Sequence, residues 1–416
     1  MGLAFIGIGL FSLFTILYHL FMIRYLPPIE YGHLNTLIAL FMVISVPAGT
    51  AQTTVTKFFS SFKVQSQYHQ AIALLRHFLL LMSIIALSFF LLILFASSHI
   101  SSFFQISSRG LVILFGLSLF FSMVIPVLWG GLQGLQKFGF LTLNLIINSG
   151  LKLGFGVLFV FLGFGLLGAM TAIAVSYIIT TILSLIIIGI SLFKEKAVAN
   201  HGVIPKSSSP SNFSEAYHYS FSAGLVLLCF MVLTNIDLIL VKHFFTPIEA
   251  GYYSIAQMVS KIILILPIPI ITVMFPKLLD GREKRTLSIL GKGLGVDALI
   301  CSGAVLSCLL FPSPIVRILS GKVYSECSIL VGIFSVNMTL FSLTLILLYY
   351  HLSTPRRGFI YSLFLFTLIE IGLILLFHDT LTQVLIMVGI IAFCLMVINL
   401  YLAYRPYQDE RKEGFT

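Results

Sequence analysis

Residues 235–277 read NIDLILVKHFFTPIEAGYYSIAQMVSKIILILPIPIITVMFPK, from Asn235 to Lys277. The stretch is the end of one long apolar run, a short polar turn, and a second apolar run with a lysine inside it. Its turn, Pro247-Ile248-Glu249-Ala250-Gly251, has a near copy at Pro28-Ile29-Glu30-Tyr31-Gly32, 219 residues earlier. The same shift pairs Gly139-Phe140 with Gly358-Phe359 and sets Lys137 against Arg356. One offset recurring at distant places marks an internal repeat. Two halves built on the same frame are an architecture of transporters, in which substrate is held near mid-membrane.

Composition fixes the solvent of this repeat. Of 416 residues, 59% are hydrophobic and 9% charged, and the mean hydropathy is +1.09. Soluble domains carry about 25% charged residues, so a water-soluble globule is excluded. Period-2 alternation is absent, which disfavours a membrane β-barrel. The apolar runs are long enough for helical spans, each needing about 20 residues. They predict an all-α polytopic membrane protein with twelve transmembrane helices in two parallel-repeat six-helix bundles. The expected division is 1–193 for the first bundle, 194–214 for a linker rich in Ser and Pro, 215–404 for the second bundle and 405–416 for a charged tail.

The net charge of +10 is read through topology rather than nucleic acid. With the N-terminus inside, the inner side takes 17 of the 24 basic residues. Arg24, Arg109, Lys242, Arg317 and Lys322 fall at outer ends and loops. Cytoplasmic loops collect Lys and Arg, so both termini are expected in the cytoplasm of a multi-pass cell-membrane protein. The N-terminus reads as an uncleaved first span, since no basic leader precedes its apolar run. The five cysteines form no CxxC pair and read as free thiols, and the histidines lack metal spacing. No metal, cofactor or nucleic-acid partner is expected.

The turn itself reads first as a helix start. Proline fits the first helical turn, glutamate faces the positive end of the dipole, and glycine allows close approach. A direct functional role for Glu30 or Glu249 is the other reading. Below the second copy, Tyr253, Gln257 and Lys261 follow one another at four-residue steps, one face of a helix. Asn144, Asn148 and Lys152 form a second such stripe. An ionisable group at mid-membrane costs about 2.5–3.5 kcal/mol on insertion scales, so each needs a reason. For the lysines the reasons are an ion pair between helices or contact with an anionic substrate in a wet cavity. Asp237 and Glu370 are candidates for cation coupling, or for pairing with Lys261 or Lys152. Asp297, near the expected start of its span, reads as a solvated end residue. Pro47, Pro267, Pro269 and Pro276 predict kinks, which serve as flex points or only shape the helices.

The chain resembles the Wzx-type polysaccharide flippases, the polysaccharide transporter family of the multidrug/oligosaccharidyl-lipid/polysaccharide exporter superfamily. The resemblance rests on Arg24-Tyr25-Leu26-Pro27-Pro28-Ile29-Glu30-Tyr31-Gly32 and Leu132-Gln133-Gly134-Leu135-Gln136-Lys137-Phe138. In the second half it rests on Asn235-Ile236-Asp237, Ala250-Gly251-Tyr252-Tyr253-Ser254-Ile255-Ala256 and Phe275-Pro276-Lys277. It implies a central, partly cationic lumen and movement of an undecaprenyl-pyrophosphate-linked oligosaccharide to the outer leaflet. Coupling would be to H+ or Na+. Partners would be that lipid-linked oligosaccharide, membrane lipid and other polysaccharide-assembly proteins. By position Lys152, Lys261 and Arg24 match the family's substrate-contacting basic residues, while Asp237 and Glu370 match its acids less closely. A drug or small-cation exporter of the same superfamily is the alternative, but it would have an acid-dominated lumen. A membrane glycan polymerase or ligase would need a large outer loop, and the longest here, about 312–326, carries only Arg317, Lys322 and Glu326.

Overall fold

The computed structural model describes residues 2–65, 67–106, 108–199, 214–279, 283–322, 324–353 and 358–404, and all their regular structure is helical. The chain runs α1 (Gly2–Tyr25), α2 (Pro28–Ile44), α3 (Val46–Val64), α4 (Tyr68–Phe95), α5 (Ser97–Phe103), α6 (Arg109–Gly134), α7 (Phe138–Phe161) and α8 (Gly165–Ala199). It continues as α9 (Ser214–Leu233), α10 (Ile236–Phe244), α11 (Pro247–Lys261), a 3₁₀ turn (Ile262–Ile265) and α12 (Pro267–Leu279). The last helices are α13 (Glu283–Leu310), α14 (Pro312–Ser320), α15 (Ser325–Ser353), α16 (Gly358–Leu376) and α17 (Leu381–Tyr404). Most of the expected linker and the whole charged tail lie outside the described residues.

Among the described residues nine helices are long and apolar enough to cross a membrane, and eleven if each of two bent pairs counts as one span. Gly9–Tyr25 is a shorter apolar helix. The bends have local causes. α2 and α3 meet at 43° around Ser45, two residues before Pro47, whose ring cannot continue the upstream hydrogen-bond ladder. α9 and α10 meet at 42° around Asn235. Before Pro267 the backbone tightens into the 3₁₀ turn, directly after Lys261.

Two segments differ from the sequence reading. The polar stretch 57–76, which composition reads as a break between two apolar spans, is mostly helix, because α3 runs to Val64 and α4 starts at Tyr68. Two of the connections expected on the outer side hold a short helix, α5 and α14; on α14 Val316 is buried while Ile318 is exposed.

The chain divides into two compact units, Met1–Ser254 with Leu319–Gly321, and Ile255–Ile318 with Lys322–Thr416. The first is centred on Val55, Phe59, Leu74, Phe78, Leu128 and Trp129, from α3, α4 and α6. Small residues let α3 and α6 approach: a Cβ on Gly130 would lie 2.6 Å from the Gln52 carbonyl oxygen, and one on Gly134 2.8 Å from the Phe59 Cβ. Close backbone approach through small residues replaces the hydrophobic drive that lipid cannot supply. The second unit is centred on Ile271, Met274, Leu290, Ile346 and Tyr350, from α12, α13 and α15. Leu80, Ile84 and Phe95 on α4 and Leu299 and Leu310 on α13 are exposed, as side chains facing lipid would be.

The repeated turns meet each other inside the first unit. A Cβ on Gly32 would lie 3.0 Å from the Gly251 Cα, and one on Gly251 2.4 Å from the Pro28 carbonyl oxygen. One turn further in, Asn35 donates from Nδ2 to the Ser254 carbonyl at 3.4 Å. Gly32 with Gly251, and Asn35 with Ser254, are residues at the same repeat offset. The two copies have different ends, however. Glu249 makes a capping box: Thr246 donates to its Oε2 from the backbone N at 3.0 Å and from Oγ1 at 2.6 Å, and Glu249 N donates back to Thr246 Oγ1 at 3.4 Å. Glu30 leaves its own helix uncapped and accepts from Leu166 N at 2.9 Å, capping α8 instead. Gly165, beside that carboxylate, has a positive φ of 48°.

Candidate functional site

On α7 the predicted stripe divides by role. Asn144 accepts from Ser184 Oγ at 2.9 Å and Asn148 donates to Thr180 Oγ1 at 3.0 Å, so both amides tie α7 to α8. Asn144 Nδ2 is buried and makes no hydrogen bond among the described residues. Lys152, two turns on, faces α1. Its ammonium donates to Thr15 Oγ1 at 3.4 Å and lies 5.2 Å from the centre of the Tyr18 ring. No carboxylate reaches it among the described residues of the first unit. A hydroxyl and a ring face hold the cation in place without neutralising it. The side chain is partly accessible, while Tyr18 is wholly buried and donates to the Ala169 carbonyl at 3.0 Å.

Asp237 sits in the first turn of α10, where the helix break turns a fresh N-terminus toward it. It is buried, and Tyr253 OH donates to its Oδ2 at 2.8 Å. Two predicted site residues of different classes are therefore partners: Tyr253 belongs with the acid rather than with an open stripe. Arg24, at the end of α1, is exposed and donates from Nε to the Leu319 carbonyl at 3.3 Å. In the second unit Gln257 and Glu370 are wholly buried, and Lys261 is partly accessible at the junction of α11 and the 3₁₀ turn.

Two residues were misplaced by sequence reasoning. Lys242, assigned to an outer end, is wholly buried on α10, and its Nζ makes no hydrogen bond among the described residues. Position alone suggested exposure, since Lys242 lies only five residues before Pro247; packing of α10 on α2 buries it. Asp297, read as a solvated end residue, is also wholly buried. Its helix begins at Glu283, well before the start expected just ahead of Asp297, which moves Asp297 to mid-helix. The five cysteines are free, as expected.

A groove of about 340 Å³ opens between α3, α4 and α9, lined by Pro47, Thr50, Phe78, Met82, Phe221 and Leu225 among others. None of the predicted site residues lines it.

The model of the family described as polysaccharide biosynthesis protein matches residues 3–280. The chain belongs to that family. No curated protein sequence matches it closely enough to count as a relative. Solved structures supply the fold. An inward-facing multidrug resistance MATE family transporter of the MOP superfamily is similar at a TM-score of 0.74 with 14% identity, covering 96% of this chain and 97% of that one. The lipid II flippase MurJ, in an inward closed conformation, is similar at 0.73 with 13% identity, over 97% and 87%. The MATE multidrug transporter DinF-BH is similar at 0.68 with 16% identity, over 97% and 93%. The chain thus joins the polysaccharide biosynthesis family to the fold shared by the MATE and MurJ structures, with helices long and apolar enough for a multi-pass membrane protein.

Proposed function

We propose that the chain is a flippase carrying an undecaprenyl-pyrophosphate-linked oligosaccharide from the inner to the outer leaflet of a bacterial cell membrane. The cycle is alternating access driven by an H+ or Na+ gradient, on twelve spans with both termini cytoplasmic and two six-span halves, 1–193 and 215–404. Membership of the polysaccharide biosynthesis family supports the substrate class. The observation that carries the reading is Lys152, a cation on a membrane helix held by Thr15 and Tyr18 with no carboxylate beside it among the described residues of its unit. A cation in that setting is retained for an anion, and a pyrophosphate supplies one. Lys261 is the corresponding anion contact in the second unit and Arg24 a further one at the end of α1. Asn144, Asn148, Gln257 and Tyr253 shape the polar surfaces near them. Asp237 and Glu370 are the candidate coupling acids.

A drug exporter remains the second reading of the same fold, because the MATE and MurJ structures match almost equally well. It would need an acid rather than Lys152 at this place. The test is complementation of a flippase-deficient strain. Lys152→Ala and Lys261→Ala insert normally and fail to restore surface glycan. Full restoration by the double variant refutes the anion contacts.

A further inference from the structure

The second unit holds a polar cluster that the site above does not use. Asp297 on α13 accepts from Ser342 Oγ on α15 at 2.7 Å, through Oδ2. Cys301, one turn further along α13, lies 3.7 Å from Oδ1 and 3.8 Å from Ser342 Oγ. Asp297, Cys301 and Ser342 are all at 0% exposure. Asp297 lies 14 residues into a 28-residue helix and Ser342 17 residues into a 29-residue one, so both are mid-span.

The repeat shows that the fold does not require this cluster. Shifted by the repeat offset, Asp297, Cys301 and Ser342 fall on Phe78, Met82 and Met123. These three are buried apolar residues of the first unit, and Phe78 and Met82 pack in its main core. One frame therefore carries an oily layer in one half and a carboxyl, a thiol and a hydroxyl in the other.

The neighbours decide what the carboxyl holds. No cation reaches Asp297 among the described residues. Along α13 the nearest charge is Lys292, which is exposed, and Cys301 is the other titratable neighbour. From α15 the facing groups are Ser342 and Thr339, the latter hydrogen-bonded to Cys301, while Glu326 and His351 stand near the helix ends. From α12, Ile270 and Met274 meet α13 at Gly293 and are apolar. A hard metal ion takes six or more oxygens. This cluster offers two carboxylate oxygens and two hydroxyls beside a soft sulfur, which such ions avoid. An ionised carboxylate with one hydroxyl and one weak thiol donor is poorly compensated at mid-membrane.

We propose that Asp297 is a proton site of this transporter, neutral in the conformation described and emptied when water reaches it. Loading forms the carboxyl O–H bond with a proton taken from water. Release breaks that bond, returns the proton to water, and leaves a carboxylate held by Ser342 and Cys301. Neither step needs a second reactant. The proposal deepens the flippase reading, on which it rests, by choosing the coupled ion and a residue that carries it.

The test is infrared spectroscopy of the full chain in lipid nanodiscs at neutral pH, without substrate. A protonated-carboxyl C=O band is expected in the wild type that is lost in Asp297→Asn and kept in Asp237→Asn and in Glu370→Gln. The S–H band assigned with Cys301→Ala shifts in Asp297→Asn, because the thiol loses its carboxyl partner. In heavy water the carboxyl band shifts with time as solvent reaches the site. A spectrum in which Asp297→Asn removes no carboxyl band refutes the neutral acid. A band that never shifts in heavy water refutes proton carriage and leaves a structural acid. Because substrate is not used, either failure leaves the flippase reading standing. Full complementation by the lysine variants would count against the flippase reading and leave these bands unchanged.

Discussion

The contact between the repeated turns yields a prediction whose size follows from its distances. A Cβ on Gly251 would sit 2.4 Å from the Pro28 carbonyl oxygen and 2.6 Å from its carbonyl carbon, where ordinary contact starts at 3.4 Å. Both are backbone atoms, so no rotamer relieves the clash. In Gly251→Ala the starts of α2 and α11 must part by about 1 Å, and overpacking of this kind costs about 1–3 kcal/mol. Alanine also favours helix over glycine by about 0.8–1 kcal/mol. That gain applies to every state in which α11 is helical, so it offsets the loss in overall stability without restoring the contact. Alternating access requires a second state, and where that state parts the two turns the clash acts on one state only. The equilibrium shifts toward the separated state by roughly 5- to 150-fold, the range that 1–3 kcal/mol represents. The assay is labelling of Asn35→Cys by a membrane-impermeant maleimide, with the five native cysteines replaced by serine. Labelling is expected to rise sharply in Gly251→Ala and less in Gly32→Ala, whose Cβ meets Gly251 at 3.0 Å. Gly139→Ala is the control, since a Cβ there meets nothing within 4 Å. Equal labelling in all three variants refutes the glycine contact as a joint that opens.

Other expectations rest on single contacts. Lys242→Met should stabilise the protein by about 1–4 kcal/mol, because an apolar side chain replaces a buried ammonium that lacks a hydrogen bond; the repeat-equivalent residue, Ile23, is already apolar and buried. A lower unfolding temperature in detergent would mean that Nζ meets an anion there. Glu249→Ala and Thr246→Ala should each cost about 1 kcal/mol and be less than additive, since both break one capping box; strict additivity in a double-mutant cycle contradicts it. Asn148→Ala should lower stability by about 1 kcal/mol through loss of the Thr180 hydrogen bond, and an unchanged unfolding temperature in detergent contradicts it.

The helices were legible because lipid imposes one rule everywhere: backbone polar groups must be satisfied within the span. A long apolar run therefore has one reading, and α4, α6, α7, α8, α13 and α15 to α17 followed from it except at their ends. Ends failed where polar residues continue a helix into water, as at Tyr68 and Glu283, because propensity there is not overruled by solvent. The site was less legible. Four-residue spacing put Asn144, Asn148 and Lys152 on one face, yet a helix face is broad. Asn148 turns to α8 while Lys152 turns to α1, a choice made by neighbours that spacing does not name. Tyr253 and Asp237 lie 16 residues apart across a turn, and only the antiparallel return of α11 on α10 makes them partners.

The repeat gives the polar residues their meaning, because it supplies a reference for each position. Where both copies keep a feature, packing explains it: a Cβ on Gly32 would press on the Gly251 backbone and one on Gly251 on the Pro28 carbonyl, so neither glycine can carry a side chain without moving the other turn. Where a copy departs, the departure has to be explained by something other than the shared frame. Glu30 and Glu249 depart only in which helix end they cap, so a structural cause is sufficient and no transport role is needed. Asp297 departs from Phe78, Lys242 from Ile23 and Glu370 from Leu151, each placing an ionisable group where the other half shows that an apolar one packs. Stability alone would favour the apolar member of each pair, since a buried ionisable group at membrane depth costs energy that Phe, Ile or Leu does not. On the flippase reading proposed above, these asymmetric positions, more than the repeated turn that first reveals the architecture, are where the charges to be moved or exchanged belong.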